Sequence, residues 1–367
     1  MNNIEKIDKN LAVTGTVAEN DLVFRNVRSS PFTIHGLLYE PESGPFLRIP
    51  THIAEKTNEG TFRLHTNTAG GRVRFRTNSS RVAIRAVTPG KCLMPHMPFL
   101  GSSGFDLYEQ TDIAYLYRGS FIPPINRENS YESVISLGAG TMRDLTIHFP
   151  LYDGISELYI GLDADAQLTA CKGYGHEDPI IFYGSSITQG GCASRPGNGY
   201  TNILSRNLDI DHRNLGFSGS SRGELVMADY IAEQPMCLFF FDYDHNAPDP
   251  DHLARTHEPF FLRIREKNPD LPIILASRTD TPKTEQIAQD TKVRKEIIVQ
   301  TFINAQKRGD QNVRFIDGST VFSVAQKLDV AADGCTVDGT HPNDLGFACM
   351  AHVFGNEIKS CLHITQK

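Results

Sequence analysis

The chain has no tryptophan, no CxxC pair and no excess of positive charge. No apolar run approaches the roughly 18 residues that span a bilayer. Each lack excludes something. Thirty-six basic residues against 43 acidic ones give a net charge of −7, whereas a nucleic-acid-binding protein favours a basic face. Neither a nucleic-acid nor a membrane partner is therefore expected. The seven cysteines, at positions 92, 171, 192, 237, 335, 349 and 361, are scattered and odd in number. That pattern suggests neither a disulfide framework nor a structural zinc site, and buried small apolar side chains are the expectation. The start, "MNNIEKIDKN", lacks the apolar core of a signal peptide. A cytoplasmic location fits it as written, and an exported protein whose leader had been replaced by a new Met would read the same.

What is present falls into two rhythms. At 367 residues, two domains are the natural prior. Up to about Gly161 apolar residues recur at every second position, in "TFRLHT" (61–66), "RVRFRT" (72–77), "RVAIRAV" (81–87), "IAYLYR" (113–118), "RDLTIHF" (143–149) and "ELYIGL" (157–162). Period two describes strands with one buried face, and many short strands with few helical stretches predict an antiparallel, jelly-roll-like β-sandwich over 1–168. From 169 to 367 short apolar strands alternate with helical stretches. "IIFYG" (180–184), "RNLGF" (213–217), "MCLFFFDY" (236–243), "PIILAS" (272–277) and "VRFID" (313–317) are the strands. Helices are predicted over 199–208 and near 222–233, 251–267, 284–307 and 343–360. Near-continuous apolar strands fit a parallel sheet covered on both faces. This predicts a flavodoxin-like three-layer α/β/α sandwich, where sites form beyond the carboxyl ends of the strands.

Chemistry-bearing residues gather at those ends. "IFYGSSITQGG" (181–191) closes an apolar strand on two adjacent serines, Ser185 and Ser186. "DGTHPNDLG" (338–346) sets Asp338 three residues before His341, ahead of a helix. A serine nucleophile needs a base, a group to orient that base, and donors for the oxyanion. "DYDHNAPDPDH" (242–252) has the acids and imidazoles of a metal site. As a calcium loop it fails, with Ala247 at position six and Leu253 at position twelve where Gly and Glu are required. A transition-metal set of Asp244, His245 and His252 stays open, beside acids that cap the next helix and a His245 that shapes a pocket. Arg195 and Arg278 lie on strand-end loops and suit a polar or anionic substrate as well as salt bridges. Met94, His96 and Met97 fit soft-metal binding less well than loop packing between domains.

"GSSITQGG", "NLGFSG" (214–219), "DYDHN" (242–246) and "DGTH" (338–341) together resemble the four blocks of the SGNH, or GDSL-type, hydrolases, over roughly 178–360. "GFDLY" (104–108) resembles the GxDLY signature of a β-rich domain that precedes some of them. The resemblance implies Ser186 as nucleophile, with Asp338 and His341 completing a triad. It implies an oxyanion hole from Ser186, Gly219 and Asn246. Position 185 departs from the family, with Ser in place of Asp, so the choice between the two serines is open. Ser185, Arg195, His245 and Arg278 are candidate substrate-binding residues. No metal or organic cofactor is implied. The expected reaction is hydrolysis of a short acyl, acetyl, oxygen ester on a small molecule or a carbohydrate, because relatives with β-sandwich partners often act on sugars. The alternatives are a non-catalytic carbohydrate- or ligand-binding protein, and acyl transfer by the same triad. The β domain is expected to pack over the strand ends and to lend the pocket a residue or two. The oligomeric state is open.

Overall fold

In a computed structural model, residues 7–13, 15–17, 21–138 and 140–364 are described. The strands of the N-terminal half are β1 (Leu22–Asn26), β2 (Thr33–His35), β3 (Arg72–Thr77), β4 (Arg81–Val87), β5 (Phe105–Gln110), β6 (Tyr115–Phe121), β7 (Ser130–Ser136), β8 (Arg143–His148), β9 (Glu157–Asp163) and β10 (Leu168–Thr169). Three short helices interrupt them: α1 (Thr51–Thr57), α2 (Glu59–Leu64) and α3 (Phe99–Ser103). The strands form two antiparallel sheets, ordered β1-β9-β4-β7 and β10-β3-β8-β5-β6, with β2 on β3. Alternate residues of both sheets, among them Val82, Ile84 and Ile160 from one and Val73, Phe75, Leu107 and Ile147 from the other, share one dry core. This is the β-sandwich its period-two pattern predicts.

The C-terminal half runs β11 (His176–Gly184), α4 (Ser186–Gln189), α5 (Tyr200–Leu208), β12 (Ile210–Gly216), α6 (Leu225–Ala232), β13 (Leu238–Asp242), α7 (Pro250–Lys267), β14 (Ile273–Ala276), α8 (Glu285–Lys307), β15 (Val313–Ile316) and α9 (Asp344–Leu362). Its five strands are parallel in the order β12-β11-β13-β14-β15. Their alternate faces feed two separate cores, so both faces are covered. Phe182 and Phe240 pack toward α5 and α9, while Tyr183, Phe239 and Phe241 pack toward α6, α7 and α8. That is why these strands read as continuous apolar runs. No described helix is long and apolar enough to cross a membrane.

One predicted strand is a helix. "TFRLHT" begins inside α2, where the Asn58 side chain accepts from Thr61 N–H at 2.8 Å and starts a turn that Leu64 completes. Six residues of alternation fit a short helix as well as a strand, and the N-cap decides. A second expectation fails on β3. Its arginines alternate with Val73 and Phe75 as if solvent-facing, yet Arg72 and Arg74 are fully buried. The C-terminal half covers that face: Arg72 pairs with Asp211, and Asp211 also meets His35 Nδ1 at 3.0 Å.

Candidate active site

The carboxyl end of β11 turns sharply because Ser185 caps α4. Its hydroxyl accepts from Ile187 N–H at 3.1 Å and is fully buried. Ser185 is thereby turned away from solvent, so the expectation that it binds substrate gives way to a capping role. Ser186 is the first residue of α4, a position whose N–H has no partner within its helix. Its Oγ lies 2.9 Å from His341 Nε2. His341 Nδ1 lies 2.7 Å from Asp338 Oδ2, and Asp338 Oδ1 accepts the backbone N–H of Thr340 at 2.9 Å and of His341 at 2.7 Å. Burial pushes the Asp338 carboxyl upward, but the N–H groups of His341 and Thr340 outweigh it and hold it at about 2. An ionised Asp338 fixes the proton on Nδ1 and leaves Nε2 able to accept from the Ser186 hydroxyl.

The neighbouring strand ends carry the other two candidate donors. Gly219, after β12, has φ +66°, a left-handed conformation that favours glycine, and a Cβ there would meet only open space. Asn246, after β13, donates one amide N–H to Phe217 O at 2.9 Å, which orients the group and leaves its second N–H uncommitted. Position 216 is glycine of necessity, since a Cβ would fall 2.3 Å from Gln189 N.

Of the other sequence candidates, Arg195 and Arg278 are engaged elsewhere. Arg195 bonds Asp106 Oδ2 at 3.2 Å and the Tyr108 hydroxyl, and lies over the Tyr117 ring at 4.1 Å. Asp106 and Tyr108 are the acid and the tyrosine of "GFDLY". Asp106 also accepts Gly197 N–H at 2.8 Å and pairs with His148 Nδ1 at 2.9 Å, so this signature clamps the two halves together. Arg278 is held by Asp280 at 2.7 Å and Asp290 at 3.2 Å. His245 has both ring nitrogens enclosed and without a hydrogen-bond partner among the described residues. Burial, with the charges of Arg278, His341 and Arg294, keeps its pKa well below the usual value. In the acidic loop Asp249 caps α7, and His252 Nε2 meets Arg222 O at 2.7 Å. Met97 is buried and Met94 packs against the same core. His96 is exposed, its ring 5.9 Å from that of His341.

A hollow of about 370 Å³ opens beside Asp338, lined by Thr281, Pro282, Lys283, Asp333, Thr336 and Val337. A larger one, about 720 Å³, lies at the opposite end of β11, beside His176 and Asp209. We centre the site on the hydrogen-bonded serine, imidazole and carboxylate, of which Asp338 lines the smaller hollow.

Residues 177–359 match the GDSL-like lipase/acylhydrolase family, and residues 22–168 match the GxDLY N-terminus of SGNH-type esterases. The chain belongs to the SGNH, GDSL-type, hydrolases. Among solved structures this SGNH hydrolase resembles a protein of Bacteroides ovatus described as a GDSL-like lipase, with 27% identity and a TM-score of 0.84 over 94% of this chain and 99% of that one. A salicylyl-acyltransferase from a tetracycline biosynthetic pathway shares the fold with a TM-score of 0.74 at 19% identity, over 94% and 99% of the two chains. An acetyl xylan esterase from the rumen bacterium Butyrivibrio proteoclasticus shares it with a TM-score of 0.56 at 14% identity, over 94% and 100%. Comparison with curated proteins gave no match.

Proposed function

We propose that the chain is a serine esterase that removes a short acyl group, acetyl, from a carbohydrate hydroxyl. The observation that carries this reading is the unbroken hydrogen-bonded line from Ser186 Oγ through His341 to Asp338, at 2.9 and 2.7 Å. Ser186 Oγ attacks the acyl carbon as His341 Nε2 takes its proton, and Asp338 stabilises the imidazolium that forms. The N–H groups of Ser186 and Gly219 and the second amide N–H of Asn246 hold the oxyanion. Collapse expels the sugar oxygen with the proton from His341. Water, deprotonated by the same imidazole, then releases the acid. The hollow beside Asp338 mixes Thr281, Lys283 and Thr336 with Pro282 and Val337, and so offers a sugar both hydrogen-bonding groups and apolar contacts. The acetyl xylan esterase with the same fold supports a sugar ester by analogy.

The test is turnover of p-nitrophenyl acetate, butyrate and octanoate, and of acetylated xylo-oligosaccharides, by wild type, Ser186→Ala and Ser185→Ala. Ser186→Ala is expected to lose about 10⁴-fold or more in kcat, with wild-type rates falling as the acyl chain lengthens. Loss in folded Ser185→Ala with activity kept in Ser186→Ala reassigns the nucleophile. Saturable glycan binding with no turnover of any ester overturns the enzymatic reading.

A further inference from the structure

We infer that Gln189 is a positioning residue for the oxyanion hole, the link by which the N-terminal half holds the loop carrying Gly219. The inference rests on the esterase assignment above. Gln189 is the last residue of α4 and is fully buried. Its Nε2 donates to Asn67 Oδ1 at 3.1 Å and to Leu151 O at 3.1 Å, and its Oε1 accepts Ser218 N–H at 3.0 Å. Asn67 and Leu151 belong to the N-terminal half, and Ser218 immediately precedes Gly219. With two acceptors on one side and a donor on the other, the amide has a single orientation. Rotating it by half a turn would set oxygen against oxygen and leave buried groups unpaired.

Two more side chains from the N-terminal half converge on the same place. The Tyr152 hydroxyl donates to the backbone carbonyl of Ser186 itself at 3.2 Å. Arg48, fully enclosed, donates to Gly216 O and, at 2.7 Å, to Leu64 O, with its guanidinium 4.2 Å over the Phe217 ring. The 216–219 segment is therefore held at its start by Arg48 and at Ser218 by Gln189. Ser186 is tied to the same half through Tyr152. A left-handed glycine in a surface turn has little stiffness of its own, whereas a catalytic donor must be held within roughly 0.5 Å. The tether sets the distance between nucleophile and oxyanion donor.

The experiment compares full-length wild type, Gln189→Leu, Gln189→Glu, Asn67→Ala, Asn67→Asp and Ser186→Ala. Measured are kcat and KM on p-nitrophenyl acetate per titrated active site, and affinity for a boronic acid that forms a tetrahedral adduct on Ser186. Gln189→Leu and Gln189→Glu are expected to lose about 10²-fold in kcat, the scale of one lost oxyanion donor. Boronate affinity should fall in parallel while KM stays within about threefold. Asn67→Ala should lose about tenfold, and Asn67→Asp, which keeps an acceptor, should recover most of it. If Gln189→Leu does not fold, the near-isosteric Gln189→Glu and the half-buried Asn67 variants decide. Unchanged kcat per active site, or a loss confined to KM, overturns the inference. Turnover surviving in Ser186→Ala overturns the assignment of Ser186 as nucleophile, on which the inference rests, instead. Turnover lost in Ser186→Ala but kept in the Gln189 and Asn67 variants overturns this inference alone.

Discussion

Strands β13 and β3 are both buried, by different means. All five residues of β13, Leu238–Asp242, are enclosed, four of them apolar, between helices of their own half. β3 sends Val73 and Phe75 into the sandwich core, and its opposite face carries Arg72 and Arg74, which are enclosed just as fully. Those arginines are covered by the other half of the molecule and by neighbouring polar groups. Arg72 meets Asp211 and the Tyr174 hydroxyl, and Arg74 meets Gln110 Oε1 at 2.7 Å and stacks over Tyr174 at 4.1 Å. Arg76, two residues on, is half-exposed and only 3.8 Å from Asp144. The first half of the strand's charged face is thus an interface and its end is solvent-facing. Apolar strands carry their own reason for burial. A charged face is buried only when matched partners are brought to it from elsewhere in the chain.

The largest expected effect in this comparison falls at the buried pair. Burial pushes the Asp211 carboxyl upward, yet Arg72 and His35 hold it well below its ordinary value. Asp211→Asn leaves the Arg72 cation enclosed without its counter-charge and should cost about 3–5 kcal/mol in denaturant unfolding. A cost below 1 kcal/mol would show that the interface tolerates the loose pairing of Arg76.

Next comes the clamp built on the GFDLY signature. Burial lowers His148 to about 4 against the pull of Asp106, so at neutral pH it is uncharged and donates to Asp106. A depressed histidine leaves stability intact above its unfolded value of about 6.5, and stability is lost as pH falls toward 4, because the unfolded chain binds the proton first. That loss is about 3 kcal/mol. It is read as a falling melting temperature between pH 6.5 and 4, flattened in His148→Gln. A slope unchanged by that substitution would assign the acid lability to other groups. The smallest effect is expected at the exposed end of the strand, where Arg76→Ala should change stability by less than about 1 kcal/mol.

The candidate site was legible where a motif carries its own geometry. Asp338 and His341 sit on one turn, so their three-residue spacing brings the carboxylate to the imidazole nitrogen by local structure alone. Between Ser185 and Ser186 the sequence left a choice, and only the fold shows that Ser185 caps α4 while Ser186 meets His341. For Arg195 and Arg278 substrate binding and salt bridging read alike, because their partners Asp106, Asp280 and Asp290 carry no mark in the sequence that distinguishes them from other acids. Gln189 stood inside a recognised block, but its partners Asn67 and Leu151 are more than a hundred and about forty residues upstream, and no periodicity connects them.

The amino-acid sequence by itself determined the two rhythms of burial, the order of the parallel strand–helix units and the residues at their carboxyl ends. Each of these depends on local patterning, which hydrophobic burial enforces wherever the chain goes. The tertiary structure alone decided which charged face is buried, which serine meets His341 and what holds the segment after β12. Those outcomes depend on pairing polar groups far apart in the chain, and a buried polar group is tolerated only where its specific partner arrives.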